Sequence, residues 1–79
     1  MMRITLEIDV QRLRELREER ALSHRELAAL AGVGHNTIYR IENGQSEVIP
    51  RTVRRLAGAL GVEPKEIMRR KTTPPREEA

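Results

Sequence analysis

Residues 22–44 read LSHRELAALAGVGHNTIYRIENG. The stretch contains two short segments with apolar residues at helical spacing, separated by Gly-Val-Gly at 32–34. Ser23 and Glu26 form the pattern of a capping box, which marks the start of the first segment. A glycine suits the left-handed position that ends a helix. The stretch therefore predicts helices over 24–31 and about 35–43, joined by a three-residue turn.

The flanking sequence predicts three further helices. Asp9 suits an N-cap, and apolar residues continue at helical spacing from there through residue 20. Pro50 suits the first position of a fourth helix, which Gly61 ends, and a short fifth helix is expected over about 64–70. Residues 45–49 read as a loop. The predicted class is all-α, with five helices.

Residues 3–10 alternate between apolar and polar side chains, which predicts a short β-strand. No other segment alternates in this way, so we expect the strand either to pair outside its own chain or to remain frayed, since a lone strand leaves its backbone groups unpaired. Two partners remain open, a second copy of the strand and the sheet edge of another protein. The first would give a dimer interface that includes Ile4, Leu6, Ile8, Leu60, Ile67 and Met68.

The chain of 79 residues is long enough for one small domain. We expect a dimerisation arm over 1–9 and a helical domain over 10–70. Residues 71–79 contain two adjacent prolines and no apolar residue except the terminal alanine, so a disordered tail is expected there.

Composition argues against several classes of protein. Cysteine is absent, and two histidines, His24 and His35, are too few for a zinc site of familiar spacing. The sequence offers no set of nucleophile, base and orienting group, so we expect no enzyme, no metal, no other cofactor and no small-molecule ligand. It has no run of about 20 apolar residues and no signal-peptide pattern, so a cytoplasmic protein with no membrane association is expected.

Charge is distributed unevenly along the chain. Residues 1–47 carry seven arginines and eight acidic residues, whereas residues 48–71 carry seven basic and two acidic residues, a net charge of +5. The second half therefore favours a polyanionic partner.

The second helix of the pair has a polar face with the chemistry of base recognition. At 100° per residue, Ile38 and Ile41 fall on the inward side, as does Glu42. Arginine can bind guanine, and asparagine can bind adenine, through two hydrogen bonds each. Two short helices joined in this way form a helix-turn-helix, whose second helix normally enters the DNA major groove. The outward residues are Asn36, Tyr39, Arg40 and Asn43, with His35 at the helix N-terminus.

Residues 13–62 resemble the Cro and phage-repressor type of helix-turn-helix domain, the XRE family with a lambda-repressor-like fold. The matching stretches are LRELREER at 13–20, LSHRELA at 22–28, AGV at 31–33, TIYRIENG at 37–44 and LAGALGV at 56–62. The resemblance implies that His35, Asn36 and Arg40 contact bases. It also implies that Arg17 and Glu42 form a semi-buried ion pair. The backbone contacts that we expect on this basis come from His24, Tyr39, Asn43 and Arg51, although Tyr39 could instead lie free on the surface.

The expected function is that of a transcriptional regulator, a homodimer that binds an inverted repeat in double-stranded DNA. Two alternatives remain open from the sequence. One is an antitoxin that holds a toxin protein and regulates its own operon, and the other is a controller protein of a restriction-modification system.

Overall fold

The computed structural model describes residues 4–69 of the chain. Four α-helices make up most of this part, together with one short antiparallel pair of strands and a single turn of 3-10 helix at Pro64–Glu66. In chain order the elements before that turn are β1 (Leu6–Glu7), α1 (Val10–Glu19), α2 (His24–Ala31), α3 (His35–Glu42), β2 (Glu47–Val48) and α4 (Pro50–Leu60).

The helix ends lie at the residues whose local chemistry favours them. The Asp9 side chain accepts a hydrogen bond from the Arg12 amide at 3.1 Å and begins α1. Pro50 is the first residue of α4. Gly32 and Gly61 follow α2 and α4 with left-handed φ angles of 73° and 72°. Four of the five predicted helices are thereby confirmed.

One hydrophobic core joins the four helices. α2 packs against both α3 and α4, and α1 packs against α3. No aromatic side chain contributes, so aliphatic side chains fill the centre. The buried apolar residues are Ile8, Leu13, Leu16, Leu27, Ala28, Ala31, Ile38, Ile41, Val53, Leu56, Ala57, Leu60 and Ile67.

The N-terminal strand is shorter than predicted and pairs within its own chain. Leu6 lies opposite Val48 and Glu7 opposite Glu47, so the partner is a two-residue strand in the segment predicted to be a loop. Directly after the strand, Ile8 forms an isolated antiparallel bridge with Met68. The prediction of a partner outside the chain is therefore wrong for the described residues.

Two backbone hydrogen bonds explain why the predicted fifth helix is reduced to one turn. The Asp9 amide donates to the Ile67 carbonyl at 2.8 Å, and the Arg69 amide donates to the Glu7 carbonyl at 2.7 Å. These bonds hold residues 67–69 beside β1 instead of in a helix, and the 3-10 turn ends at Glu66. Val10 belongs to both the alternating stretch and the predicted first helix, and it is the first residue of α1 because Asp9 caps that helix.

Three of the six residues predicted for a dimer interface are instead buried in the core of one chain. Ile8, Leu60 and Ile67 are at most 2% exposed and belong to the core of one chain, so they cannot meet a second subunit in this fold. Leu6 and Met68 are half-buried against the core, and Ile4 is exposed. The predicted disordered tail at 71–79 lies outside the described residues, as do Arg3 and residue 70 at the ends of predicted elements.

Candidate DNA interface

A three-residue turn fixes the order and spacing of α2 and α3. The capping box predicted at the start of α2 is present, with the Ser23 hydroxyl accepting from the Glu26 amide at 3.0 Å and the Glu26 carboxylate accepting from the Ser23 amide at 2.8 Å. After Gly32, the Val33 amide donates to the Ala28 carbonyl at 3.0 Å. Gly34 precedes α3 without a side-chain capping bond. The pair is thus a helix-turn-helix with a firmly capped first helix.

α3 turns one face to the core and the other to solvent. Ile38, Ile41 and Glu42 are buried. The structure brings the predicted contact residues of α3 together on the opposite, exposed face: His35, Asn36, Tyr39, Arg40 and Asn43. A polar face of this kind, next to a helix N-terminus, can present hydrogen-bond donors and acceptors to base edges.

Asn43 and Arg51 lie at the two ends of the segment that connects α3 to α4. The Asn43 amide group donates to the Tyr39 carbonyl at 2.7 Å and so caps its own helix. Arg51 is exposed in the first turn of α4. Asn43 and Arg51 are both exposed to solvent.

Glu42 anchors α3 to α1. Its carboxylate accepts from Arg17 Nε at 2.7 Å and from Arg17 Nη2 at 3.0 Å, so the predicted partners meet through two hydrogen bonds. Arg17 Nη1 also donates to the Leu22 carbonyl at 2.7 Å, just before α2. The Glu42 side chain is 2% exposed and that of Arg17 is 12% exposed. One ion pair therefore links α1, the start of α2 and the end of α3.

Arg14, which was not predicted from the sequence, also binds Glu42. Its Nη2 donates to the Glu42 backbone carbonyl at 3.0 Å, and its Nε lies 3.3 Å from the Glu42 carboxylate. Arg14 therefore binds both the side chain and the C-terminal carbonyl of α3, where a cation is favoured by the helix dipole. Its position one helical turn before Arg17 was the available signal, since residues three apart share a helix face.

The electrostatics of Glu42 keep it ionised. Burial by itself would raise its pKa, but hydrogen bonds from Arg17, His24 and Arg14, together with the charge of Arg17, outweigh burial and leave the pKa below its ordinary value. The hydrogen bond to Glu42 likewise raises the pKa of Arg17. The carboxylate therefore stays charged while it orients α3.

His24 contacts both the buried Glu42 and the exposed Tyr39. Its Nε2 lies 3.1 Å from the Glu42 carboxylate, and its ring meets Tyr39 edge-on with the ring centres 6.0 Å apart. A groove of about 460 Å³ lies between the N-terminal ends of α2 and α3. Its lining includes Arg25, a second residue not singled out from the sequence. The lining residues are Ser23, His24, Arg25, His35, Asn36 and Tyr39.

Two further findings apply to residues 4–69 alone. No three carboxylate or imidazole side chains in this range come together in a way that could hold a metal ion. None of its helices combines the length and the apolar character needed to cross a bilayer.

The sequence profile of a helix-turn-helix domain family matches residues 10–69. The chain belongs to this helix-turn-helix family. The match extends over the four helices and the turn described above, and the family expected from the sequence is thereby confirmed.

Two curated relatives of this helix-turn-helix chain are transcriptional regulators of Bacillus subtilis (strain 168). The chain is 47% identical over 53 residues to the HTH-type transcriptional repressor RghR, a match that covers 66% of the chain and 39% of RghR. It is 41% identical over 59 residues to the uncharacterized HTH-type transcriptional regulator RghRB, covering 73% of the chain and 42% of that protein. The chain spans about two fifths of the length of these relatives.

Solved structures contain the same helix-turn-helix fold in two settings. The restriction-modification controller protein C.AhdI from Aeromonas hydrophila matches with a TM-score of 0.68 and 42% identity, covering 72% of this chain and 86% of that chain. Hydroxyethylphosphonate dioxygenase matches with a TM-score of 0.70 and 26% identity, covering 91% of this chain but 14% of that chain. The second likeness therefore concerns one small part of a much longer protein.

Proposed function

We propose that this protein is a sequence-specific DNA-binding transcriptional regulator that places α3 in the major groove. The observation that carries the proposal is the exposed polar face of α3, held outward because Ile38, Ile41 and Glu42 anchor the opposite face. Membership of the helix-turn-helix family supports the same function.

The proposed base contacts come from the first and the last turn of α3. Arg40 has the donor geometry for guanine O6 and N7, and Asn36 can bind adenine through N6 and N7. His35, at the first position of α3, can donate to a purine N7 or to a phosphate. These three residues would supply sequence preference.

Four other residues would contact the DNA backbone, and these contacts would position α3 without specifying sequence. His24 at the start of α2 can reach a phosphate while its Nε2 remains beside Glu42. Arg51 supplies a fixed positive charge at the start of α4. The residues of this group are His24, Tyr39, Asn43 and Arg51.

The proposed functional unit is a homodimer on an inverted repeat. One recognition helix offers few contacts, and a second subunit makes the next binding event effectively intramolecular. Two recognition helices related by a two-fold axis would meet half-sites about 34 Å apart. With Ile8, Leu60 and Ile67 in the core, the dimer interface would have to use other surfaces.

A controller protein of a restriction-modification system is the second candidate. The observation that favours it is the match to C.AhdI, which extends over 86% of that chain, whereas the matches to RghR and RghRB cover 39% and 42% of those proteins. Such a controller would also be a DNA-binding regulator, so the two candidates share the proposed chemistry of α3.

Selection of bound sequences from a random DNA pool tests the proposal, with light scattering and salt titration on the same preparation. We expect a site with dyad symmetry, a particle with the mass of a dimer on the DNA, and affinity that falls steeply with salt because phosphate contacts release counterions. Weak binding without sequence preference would contradict the proposal. If the protein bound DNA only weakly and a second polypeptide co-purified with it from its native host, the antitoxin alternative would be favoured.

A further inference from the structure

A hydrogen bond connects α4 to the turn of the helix-turn-helix. Arg55 Nη1 donates to the Gly32 carbonyl at 2.9 Å. Gly32 follows the last residue of α2, and the turn that it begins leads directly into α3. The guanidinium of Arg55 is thus attached to the turn that connects the two helices.

The environment of Gly32 shows that the turn leaves room for this guanidinium. A Cβ atom added at Gly32 would lie 3.2 Å from Arg55 Nη1, closer than most carbon contacts of this kind. Gly61 ends α4 with nearly the same φ angle, yet a Cβ atom there would meet nothing within 4 Å. Both glycines satisfy a left-handed backbone, but Gly32 also permits the close approach of Arg55.

We propose that Arg55 is a positioning residue for DNA recognition: it holds the turn, and through the turn it fixes α3 relative to α4. This inference rests on the proposed function of α3. Base readout requires side chains to stay within hydrogen-bond reach of particular atoms, whereas sequence-independent binding to phosphates tolerates a change of orientation. Loss of the Arg55 bond should therefore weaken binding to the selected site more than binding to unrelated DNA.

The alternative role for Arg55 is a direct phosphate contact, and salt dependence separates the two. A protein that loses one phosphate contact loses about one unit of the slope of log affinity against log salt concentration. Binding to all sequences then weakens to a similar extent. A positioning residue leaves that slope unchanged and lowers the ratio of site-specific to non-specific affinity.

The test compares Arg55→Ala with Arg55→Lys and with Arg54→Ala. Arg54 is the adjacent exposed arginine of α4, so its replacement removes the same charge from the same helix. For Arg55→Ala we expect roughly three- to tenfold weaker binding to the selected site, the range given by one hydrogen bond. Binding to unrelated DNA and the salt slope should stay within error of the parent protein. Lysine, which can donate to the same carbonyl, should recover part of the loss.

Two results would overturn the proposal. Equal weakening on selected and unrelated DNA, with a salt slope reduced by about one unit, would make Arg55 a phosphate contact. Unchanged affinity and unchanged discrimination would make it an ordinary surface residue. A general loss of folded protein lowers binding to both kinds of DNA together and so cannot mimic the expected change in their ratio.

Amide hydrogen exchange tests, in the absence of DNA, whether Arg55 holds the turn. The Val33 amide donates to the Ala28 carbonyl within the turn, and we expect it to exchange faster in Arg55→Ala but not in Arg54→Ala. If the exchange rate at Val33 stayed unchanged, Arg55 would not hold the turn, even if DNA binding changed. If the parent protein selects no DNA site, the proposed function and the recognition role both fail, while the exchange rates still decide whether Arg55 holds the turn.

Discussion

Glu42 determines how α3 is attached to the rest of the molecule. A carboxylate with a 2% exposed side chain is costly to bury, and here two arginines and a histidine surround it. Arg17 approaches from α1 with two donors, and Arg14 adds a bond to the last carbonyl of α3. The exposed face of α3 is therefore oriented by charged contacts on the opposite side of the helix.

Replacing Arg17 should cost much more stability than replacing Arg14. Arg17→Ala leaves the buried carboxylate without its main partner, and breaking such a pair typically costs about 3–5 kcal/mol. Arg14 is 48% exposed, so Arg14→Ala should cost at most about 1 kcal/mol. Urea unfolding of both variants checks this order. Equal losses would show that Arg17 is not the main partner of Glu42.

The lowered pKa of Glu42 predicts a specific pH dependence. The unfolded chain binds more protons than the folded chain between the ordinary glutamate pKa of about 4.3 and the lower folded value. The contribution of Glu42 is thus complete above about pH 5 and is lost as the pH falls through the folded pKa.

Glu42→Gln should therefore be less stable than the parent protein at pH 7 by about 1.5–3 kcal/mol, the scale of charged hydrogen bonds. The gap should narrow as the pH falls from about 4.3 toward the lower folded pKa of Glu42, because the unfolded parent chain takes up a proton there that the folded carboxylate does not. Unfolding free energies of the two proteins at several pH values measure the gap. A gap that stays constant or widens toward acid would contradict the assigned role of Glu42.

At the scale of elements, the two helices of the motif differ in how they begin. The capping box of α2 satisfies two backbone amides, whereas Gly34 gives α3 no side-chain cap. A Cβ atom at Gly34 would lie 3.9 Å from Thr37 Oγ1, and its φ angle of −73° suits any residue, so a serine fits there.

Changes at these two caps should have opposite effects on stability. Ser23→Ala should cost about 1 kcal/mol, whereas Gly34→Ser should stabilise the domain by a few tenths of a kcal/mol. Thermal unfolding under identical conditions measures both. A stabilising Ser23→Ala or a clearly destabilising Gly34→Ser would contradict the assignment of the caps.

Two isoleucines that flank β1 differ in burial, and their replacement should differ in its effect on stability. Ile8 is 1% exposed and Ile4 is 67% exposed, although the two residues share one face of the alternating pattern. Ile8→Ala should cost about 2–5 kcal/mol as a core truncation. Ile4→Ala should stay within about 0.5 kcal/mol. If both replacements cost the same free energy in urea unfolding, and if that cost depended on protein concentration, the result would instead favour a strand shared between subunits.

The sequence predicted the helices well because their signals are local. Asp9, Ser23, Gly32, Pro50 and Gly61 each act on the few residues beside them, and these signals agree with the apolar spacing. The partner of β1 has no such signal. A two-residue strand at Glu47–Val48 is too short to show alternation, and its pairing depends on how α3 and α4 bring it to β1.

For the candidate site, too, the sequence predicted the local feature, the exposed face of α3, but not the contacts between helices. The outward face of α3 follows from helical spacing alone, because the two isoleucines fix the inward side. The contacts of Arg14 and His24 with Glu42 depend on the packing of three helices and were not predicted from spacing. Arg55 was missed for the same reason, since its partner is a backbone carbonyl 23 positions away.

At the scale of the whole molecule, one small domain presents the exposed face of α3 on a frame of packed helices. The four helices share one core, Arg14, Arg17 and His24 bind Glu42 of α3, and Arg55 donates to the turn that precedes α3. Such a frame suits a protein that reads DNA by fixed geometry. Charge in the second half of the sequence, net +5 over residues 48–71, favours the approach of a polyanion.

Sequence selection repeated with Arg40→Ala tests the central claim, that α3 reads bases, most directly. Arg12→Ala is the matched control, since Arg12 lies on α1 beside Glu15 and Glu66. We predict that Arg40→Ala loses sequence preference at one position in each half-site, with a cost of about 1–3 kcal/mol on the parent site, while Arg12→Ala keeps the parent preference. An unchanged preferred sequence for Arg40→Ala, with binding weakened equally on every DNA, would contradict the claim.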